Sequence, residues 1–321
     1  MKLKTTIQYL VVLICLGIIG HYFYTHKEEL DIILHLNPKS LGLLSIIIVG
    51  IQILNALKYL LMLKVSGLNE CKFFPWFKIF AVSNFANLIM PQGANIYRAI
   101  RLKSQFQFSY THFIRSITFV AWFEIIAVLI LTCITLIFLQ ANVVIKGINI
   151  LHVILASIVI ITLIPFTLNF VLSKLKYHNP TIDWMHGKAN EITDFLTKHI
   201  RSLGLIFNFF ILSALTYVLY LVCMHVGFQA MNIQLDLSGV ALFTVIILLG
   251  NLVNIIPGNL GIMELMCGYL VQSMGEAMGS GIVLAGLLRI LVYLVNILWA
   301  VIFSKEVLSR QAMEARMKEG Q

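Results

Sequence analysis

The sequence predicts an all-α polytopic membrane protein. Six spanning helices and two re-entrant broken-helix elements form an inverted-topology repeat, with both termini on the cytoplasmic side. Three observations carry that prediction. Of the 321 residues, 60% are hydrophobic and only 12% charged, with a mean hydropathy of +0.92, which sets the chain apart from soluble globular proteins. Apolar runs recur at close to the about 20 residues that a bilayer crossing requires. Two of the apolar segments are broken by proline and glycine at corresponding places in the two halves, and such matching breaks point to a site at a repeat interface.

Taken in order, the unbroken runs cover residues 5–24, 40–63, 113–139, 148–172, 203–226 and 282–303. The first follows Met-Lys-Leu-Lys and lacks a small-residue cleavage site, so it is expected to stay as an uncleaved spanning helix. The broken segments cover 75–97 and 238–273. In the first, Asn84 and Asn87 precede Pro91 and Gly93; in the second, Asn251 and Asn254 precede Pro257, Gly258 and Gly261. Proline removes a helix donor and glycine permits close backbone approach, so each segment is expected to be two half-helices around a bend. Seven residues after each proline comes a charge, Arg98 in one half and Glu264 in the other.

The placement of Lys and Arg decides whether the broken segments cross or turn back. If both turn back, Lys2, Lys4, Lys58, Lys64, Lys72, Lys78, Arg98, Arg101, Lys103, Arg115, the basic residues of 174–201 and the basic tail from Lys305 all fall on the cytoplasmic side. Only Lys27, Lys39 and Lys146 then face outward, and Arg289 lies within the membrane. If both cross, the Arg98 cluster and the whole 174–201 loop move outside, which the positive-inside rule disfavours. Turning back gives each half an odd number of crossings, which inverts the second half relative to the first. Residues 1–321 are thus expected to be one transmembrane domain, with a first repeat over 1–139 and a second over 148–303. Residues 173–202 form a cytoplasmic amphipathic loop. There Ile182, Met185, Ala189, Ile192, Leu196 and Ile200 recur at helical spacing between charges, as a helix lying on the leaflet or as a solvated connector.

A charge at membrane depth costs about 2.5–3.5 kcal/mol on insertion scales, so each needs a reason. Arg98, Glu124, Glu264 and Arg289 are in question. Arg98 fits a phosphate bound near the N-terminus of a half-helix, where its fork would add to the helix dipole; an interfacial anchor is the alternative. Glu264 suits either a pair with Arg289 or a proton-coupled carboxylate. Glu124 has no opposite charge near it in sequence and is expected to make a structural hydrogen bond. The asparagines, Asn87 and Asn254 among them, are expected to bridge the broken backbone first and to contact substrate second. Asn95, beside the first bend, joins the candidate substrate-binding set.

Several function classes are excluded or left without support. Cys15, Cys71, Cys133, Cys223 and Cys267 occur singly in or beside apolar runs, with no metal-ligand spacing, so no metal or other cofactor is expected. No nucleophile elbow, zinc-protease, phosphate-loop or dinucleotide-binding pattern occurs, and no catalytic residue is assigned. The net charge of +9 gathers in short clusters beside helices, which suits anionic lipid and not nucleic acid.

With these residues in place, the chain resembles the lysylphosphatidylglycerol synthase transmembrane region, also called the flippase-like integral membrane family. The resemblance rests on Pro91-Gln92-Gly93 leading to Arg98, on the run Pro257-Gly258-Asn259-Leu260-Gly261-Ile262-Met263-Glu264, and on Arg289 with Tyr293 in the last helix. It spans essentially the whole chain. One departure stands out: where the family usually carries a Glu-Arg pair, Val120-Ala121 stand here, leaving Glu124 as the acidic member. Fused members carry a soluble aminoacyl-transfer domain, and this chain is expected to be a stand-alone member without it. The resemblance implies a lipid translocase of the bacterial or archaeal cytoplasmic membrane. Its substrate would be an anionic phospholipid or a polyprenyl-phosphate-linked headgroup, and its partners envelope-synthesis proteins. An accessory or scaffold protein of envelope glycan or lipid synthesis, with no transport of its own, is the alternative.

Overall fold

A computed structural model describes residues 2–30, 37–89, 92–141, 144–145, 147–174, 190, 193–194, 197–198, 202–252 and 259–319. The protein is all-α apart from one tiny hairpin. The helices are α1 (Lys2–Thr25), α2 (Pro38–Val65), α3 (Phe73–Ile89), α4 (Gly93–Phe106), α5 (Tyr110–Phe138), α6 (Ile150–Lys174), α7 (Leu203–Ala230), α8 (Leu237–Leu252), α9 (Ile262–Ser273) and α10 (Met278–Glu319). A short 3-10 turn, Lys27–Leu30, follows α1. Strands β1 (Val144–Ile145) and β2 (Ile148–Asn149) pair antiparallel between α5 and α6, with Val144 opposite Asn149.

Apolar chains in lipid must satisfy their own backbone, which leaves helices as the stable form. Their starts and stops are written locally. Asn37 accepts from the Lys39 N–H with Pro38 at the first helical position, which starts α2. Ser109 accepts from the Thr111 N–H and starts α5 three residues before the expected run. Four helices are long and apolar enough to cross a membrane, among the described residues: Pro38–Val65, Tyr110–Phe138, Leu203–Ala230 and the Met278–Phe303 part of α10. Leu13–Thr25, Ile150–Ile164 and Leu237–Asn251 are shorter apolar stretches.

The broken segments become pairs of short helices. The arm after the first break runs further than the expected residue 97, to Phe106, where Gln107 in the left-handed region (φ 53°) ends α4. Helices α3 and α4 pack on each other. Phe77 near the start of α3 shares an apolar cluster with Leu102 of α4 and Phe108 just beyond it, so the outer ends of the two helices lie together. Helices α8 and α9 also pack together, and Gly239 at the start of α8 lies against Met274 just beyond α9. The bases of the two hairpins lie at opposite ends of the Met278–Phe303 stretch of α10. Met278 and Ile282 at its start lie on Gly268 of α9, whereas Phe303 meets Phe74 and Phe77 of α3 at ring-centre distances of 6.3 and 6.2 Å.

Several contacts recur when the two halves of the chain are exchanged. Helix α2 packs on α7; the first hairpin packs through α3 on α10, and the second through α8 on α5. Likewise α2 meets α10 as α7 meets α5, and α2 meets α3 as α7 meets α8. Other contacts have no such counterpart: α2 packs on α5 whereas α7 and α10 make little or no contact, α9 packs far more extensively on α10 than α4 does on α5, and α1 lies on α9 and α6 on α5. The apexes themselves, including Pro91, Asn254, Pro257 and Gly258, lie outside the described residues, as does most of the 173–202 loop.

Candidate functional site

Several polar clusters interrupt the apolar interior, three of them around the candidate charges. The first is built on the α3–α4 hairpin. Arg98 is 4% exposed; its Nε donates to Ser83 Oγ at 2.7 Å and its Nη2 to Asn84 Oδ1 at 2.6 Å. The guanidinium also stacks over Phe80 and Tyr59, 4.2 and 5.1 Å from the ring centres. Every partner is neutral, and among the described residues no carboxylate pairs with Arg98. A buried cation held only by dipoles and ring faces keeps most of its attraction for an anion. Beside it, Asn87 accepts from the Ala94 N–H at 2.9 Å, joining the two arms of the hairpin across the break. Asn95 donates to the Gln92 side chain at 2.7 Å, on the outer side of the bend.

The second cluster lies where α9 begins. Glu264 accepts from the Gly261 N–H at 2.7 Å through one oxygen and pairs with Arg289 Nε at 2.8 Å through the other. Arg289 Nη2 donates to the Asn259 carbonyl at 3.3 Å, while its Nη1 is buried with no partner among the described residues. Gly261 has φ +85° and lies against Cys15 of α1. The carboxylate occupies the positive end of α9, so that helix start is neutralised by its own side chain and is closed to an anion.

The third cluster was not legible as a site. Lys58, which the charge distribution assigns to the cytoplasmic side, is 1% exposed and pairs with Glu124 at 2.6 Å. Ser213 donates to the second Glu124 oxygen at 2.9 Å. Lys58 lies inside α2, nearly two turns before its end, and tertiary contact supplies its counter-ion. The expected hydrogen bond to Glu124 is present through Ser213, but an ion pair accompanies it. The one signal in the sequence is a lysine inside the 40–63 apolar run.

Among the candidates, then, Glu264 and Arg289 meet each other, while Arg98 stands in a cluster of its own with Asn84. Asn251 is exposed at the end of α8. Among the described residues no group of three or more His, Cys, Asp or Glu could hold a metal ion.

No curated protein and no solved structure matches the chain. The family model described as the lysylphosphatidylglycerol synthase TM region does, over residues 6–300. That range takes in three of the four long apolar helices whole and the fourth as far as residue 300, with both hairpins and the candidate charges, so this multi-pass membrane protein belongs to the lysylphosphatidylglycerol synthase TM region family.

Proposed function

We propose that this protein is a translocase for a membrane lipid with an anionic, phosphate-bearing headgroup. Six helices would cross the membrane and the α3–α4 and α8–α9 hairpins would enter it from opposite faces, with both chain ends in the cytoplasm. The hairpin bases at opposite ends of the Met278–Phe303 stretch of α10 support that arrangement, because its 26 residues span about 39 Å, more than a bilayer core. The contacts that recur between the halves support reading 1–139 and 148–303 as repeats that rock about a shared centre.

One observation carries the functional reading: Arg98 is a buried guanidinium with only neutral partners among the described residues, on a hairpin that would reach into the membrane. A lipid phosphate supplies the missing charge, and the planar fork matches its oxygens two at a time. Arg289, with one unspent buried donor, offers a second contact from the other half.

The test is flipping of fluorescent phosphatidylglycerol in phosphatidylcholine liposomes that contain the purified protein. Arg98→Lys keeps the charge but loses the fork, and a charge-assisted hydrogen bond contributes about 1.5–3 kcal/mol. The variant is expected to accumulate normally and to flip about ten- to a hundredfold more slowly. Wild-type rates in Arg98→Lys and Arg98→Ala alike would make Arg98 an anchor and favour an accessory role in envelope lipid or glycan synthesis.

A further inference from the structure

We propose that Lys58 is a second station for the lipid phosphate, and that Glu124 is the internal anion it releases to take the phosphate up. The inference rests on the translocase reading above and adds a residue pair to the path.

The pair occupies the centre of the fold. Lys58 is on α2, Glu124 on α5 and Ser213 on α7, and α2–α7 is the contact that maps onto itself when the halves are exchanged. As a stabilising device it is poor, because a fully buried ion pair can often be replaced by apolar side chains of similar volume without loss. Ionisable residues at membrane depth instead mark pathways.

Its neighbours connect it to both hairpins. Tyr59, next along α2, lies under the Arg98 guanidinium at 5.1 Å and also lies close enough to Glu124 to interact electrostatically. Tyr220, two turns after Ser213 on the same face of α7, interacts with Glu124 on one side and Asn251 of the second hairpin on the other. Arg98, Tyr59, Lys58–Glu124, Ser213, Tyr220 and Asn251 therefore form a polar track through an apolar interior.

Along that track Arg98 has no carboxylate partner, whereas Lys58 is already paired at 2.6 Å. A phosphate leaving Arg98 meets in Lys58 the next cation, and it must compete with Glu124 for it. No bond is made or broken; one ion pair replaces another, and Ser213 still satisfies the released carboxylate. Such exchange lets a headgroup bind at the centre without being trapped there, since Glu124 is at hand to displace it.

Two variants test this, with binding of dihexanoyl phosphatidylglycerol in detergent and flipping of fluorescent phosphatidylglycerol in liposomes as readouts. Glu124→Gln keeps the shape and removes the competitor. It is expected to bind the short-chain lipid about tenfold more tightly and to flip about tenfold more slowly, the change of one charge-assisted contact. Lys58→Met with Glu124→Leu removes both charges together; it is expected to stay folded and to bind through Arg98, while flipping at least about tenfold more slowly. A double variant that flips at the wild-type rate, or a Glu124→Gln variant that binds no more tightly, overturns the proposal. If Arg98→Ala is inactive in the same assay, only the Lys58 station is lost; a fully active Arg98→Ala, or a wild type that moves no lipid, overturns the underlying reading as well.

Discussion

At the residue scale, the buried charges behave according to what surrounds them. Glu264 has two tasks, capping α9 through Gly261 and balancing Arg289. Glu264→Gln retains an acceptor for the cap and loses the balance. Breaking a fully buried pair costs about 3–5 kcal/mol, but the Arg289 side chain keeps 15% exposure, so the loss here is smaller. The variant should reach the membrane and unfold in detergent at a lower temperature than wild type; an unchanged temperature would show that the pair adds nothing to the fold. Gly281 is more exacting. A Cβ there would stand 2.5 Å from the Cys267 carbonyl oxygen and 2.8 Å from its carbon, and backbone cannot move aside as a flexible side chain can. Close approach of this kind is how small residues join helices in a membrane. Gly281→Ala should therefore force α9 and α10 apart, with a loss in the upper part of the usual range of about 0.5–3 kcal/mol, read as reduced accumulation and a lower unfolding temperature.

At the element scale, the hairpins can be tested by asking which ends share a side of the membrane. Single cysteines at Gln140 and Asn232, exposed turn residues beyond α5 and α7, should react with an impermeant maleimide from outside. A cysteine at Gln107, the exposed residue after α4, should react only after permeabilisation. Reaction of Gln107 from outside would mean that α3 and α4 cross in succession. The native thiols give little background, since all five cysteines are buried. Cys71, in the turn between α2 and α3, has its thiol pushed up to about 11 by burial. A raised thiol pKa means less thiolate at a given pH, so Cys71 should stay inert at pH 7–8 and become reactive only as pH rises towards 11. Tyr22 and Glu29 add a further local device: Glu29 accepts from the Tyr22 hydroxyl and from the Gly279 N–H at 2.8 Å, fastening the segment after α1 to the start of α10.

At the scale of the whole molecule, the halves are interlocked. Each hairpin lies on the last long helix of the other half, and the central ion pair joins α2 and α5 of the first half, with Ser213 from α7 of the second. A chain broken between residues 174 and 202 leaves each half with its partner face and its polar groups open to lipid. Either half expressed alone should accumulate poorly, and the two expressed together should co-purify as a complex. Independent accumulation of both halves at wild-type levels would refute this account of the packing.

Much of this architecture is written in the sequence. In lipid the backbone must bond to itself, so apolar length alone identifies a helix, and caps such as Asn37 and Ser109 set its start. The two proline–glycine breaks likewise disclosed the paired short helices, because a lost donor acts locally. The partners of the charges could not be read this way. Lys58 and Glu124 are 66 residues apart and Arg289 and Glu264 are 25 apart, and nothing in chain order says which cation each carboxylate meets. The family pattern named Arg289 but not Lys58, and a rule that sorts charges by side says nothing of which of them are buried. Only packing α2 against α5 and α7 brings Lys58 into a dry interior with a counter-ion, and the same packing leaves Arg98 among neutral groups. Local chemistry determined the helices and their breaks; the choice of which charges are paired was made by helix contact, because Coulomb attraction depends on distance in space and is blind to distance along the chain.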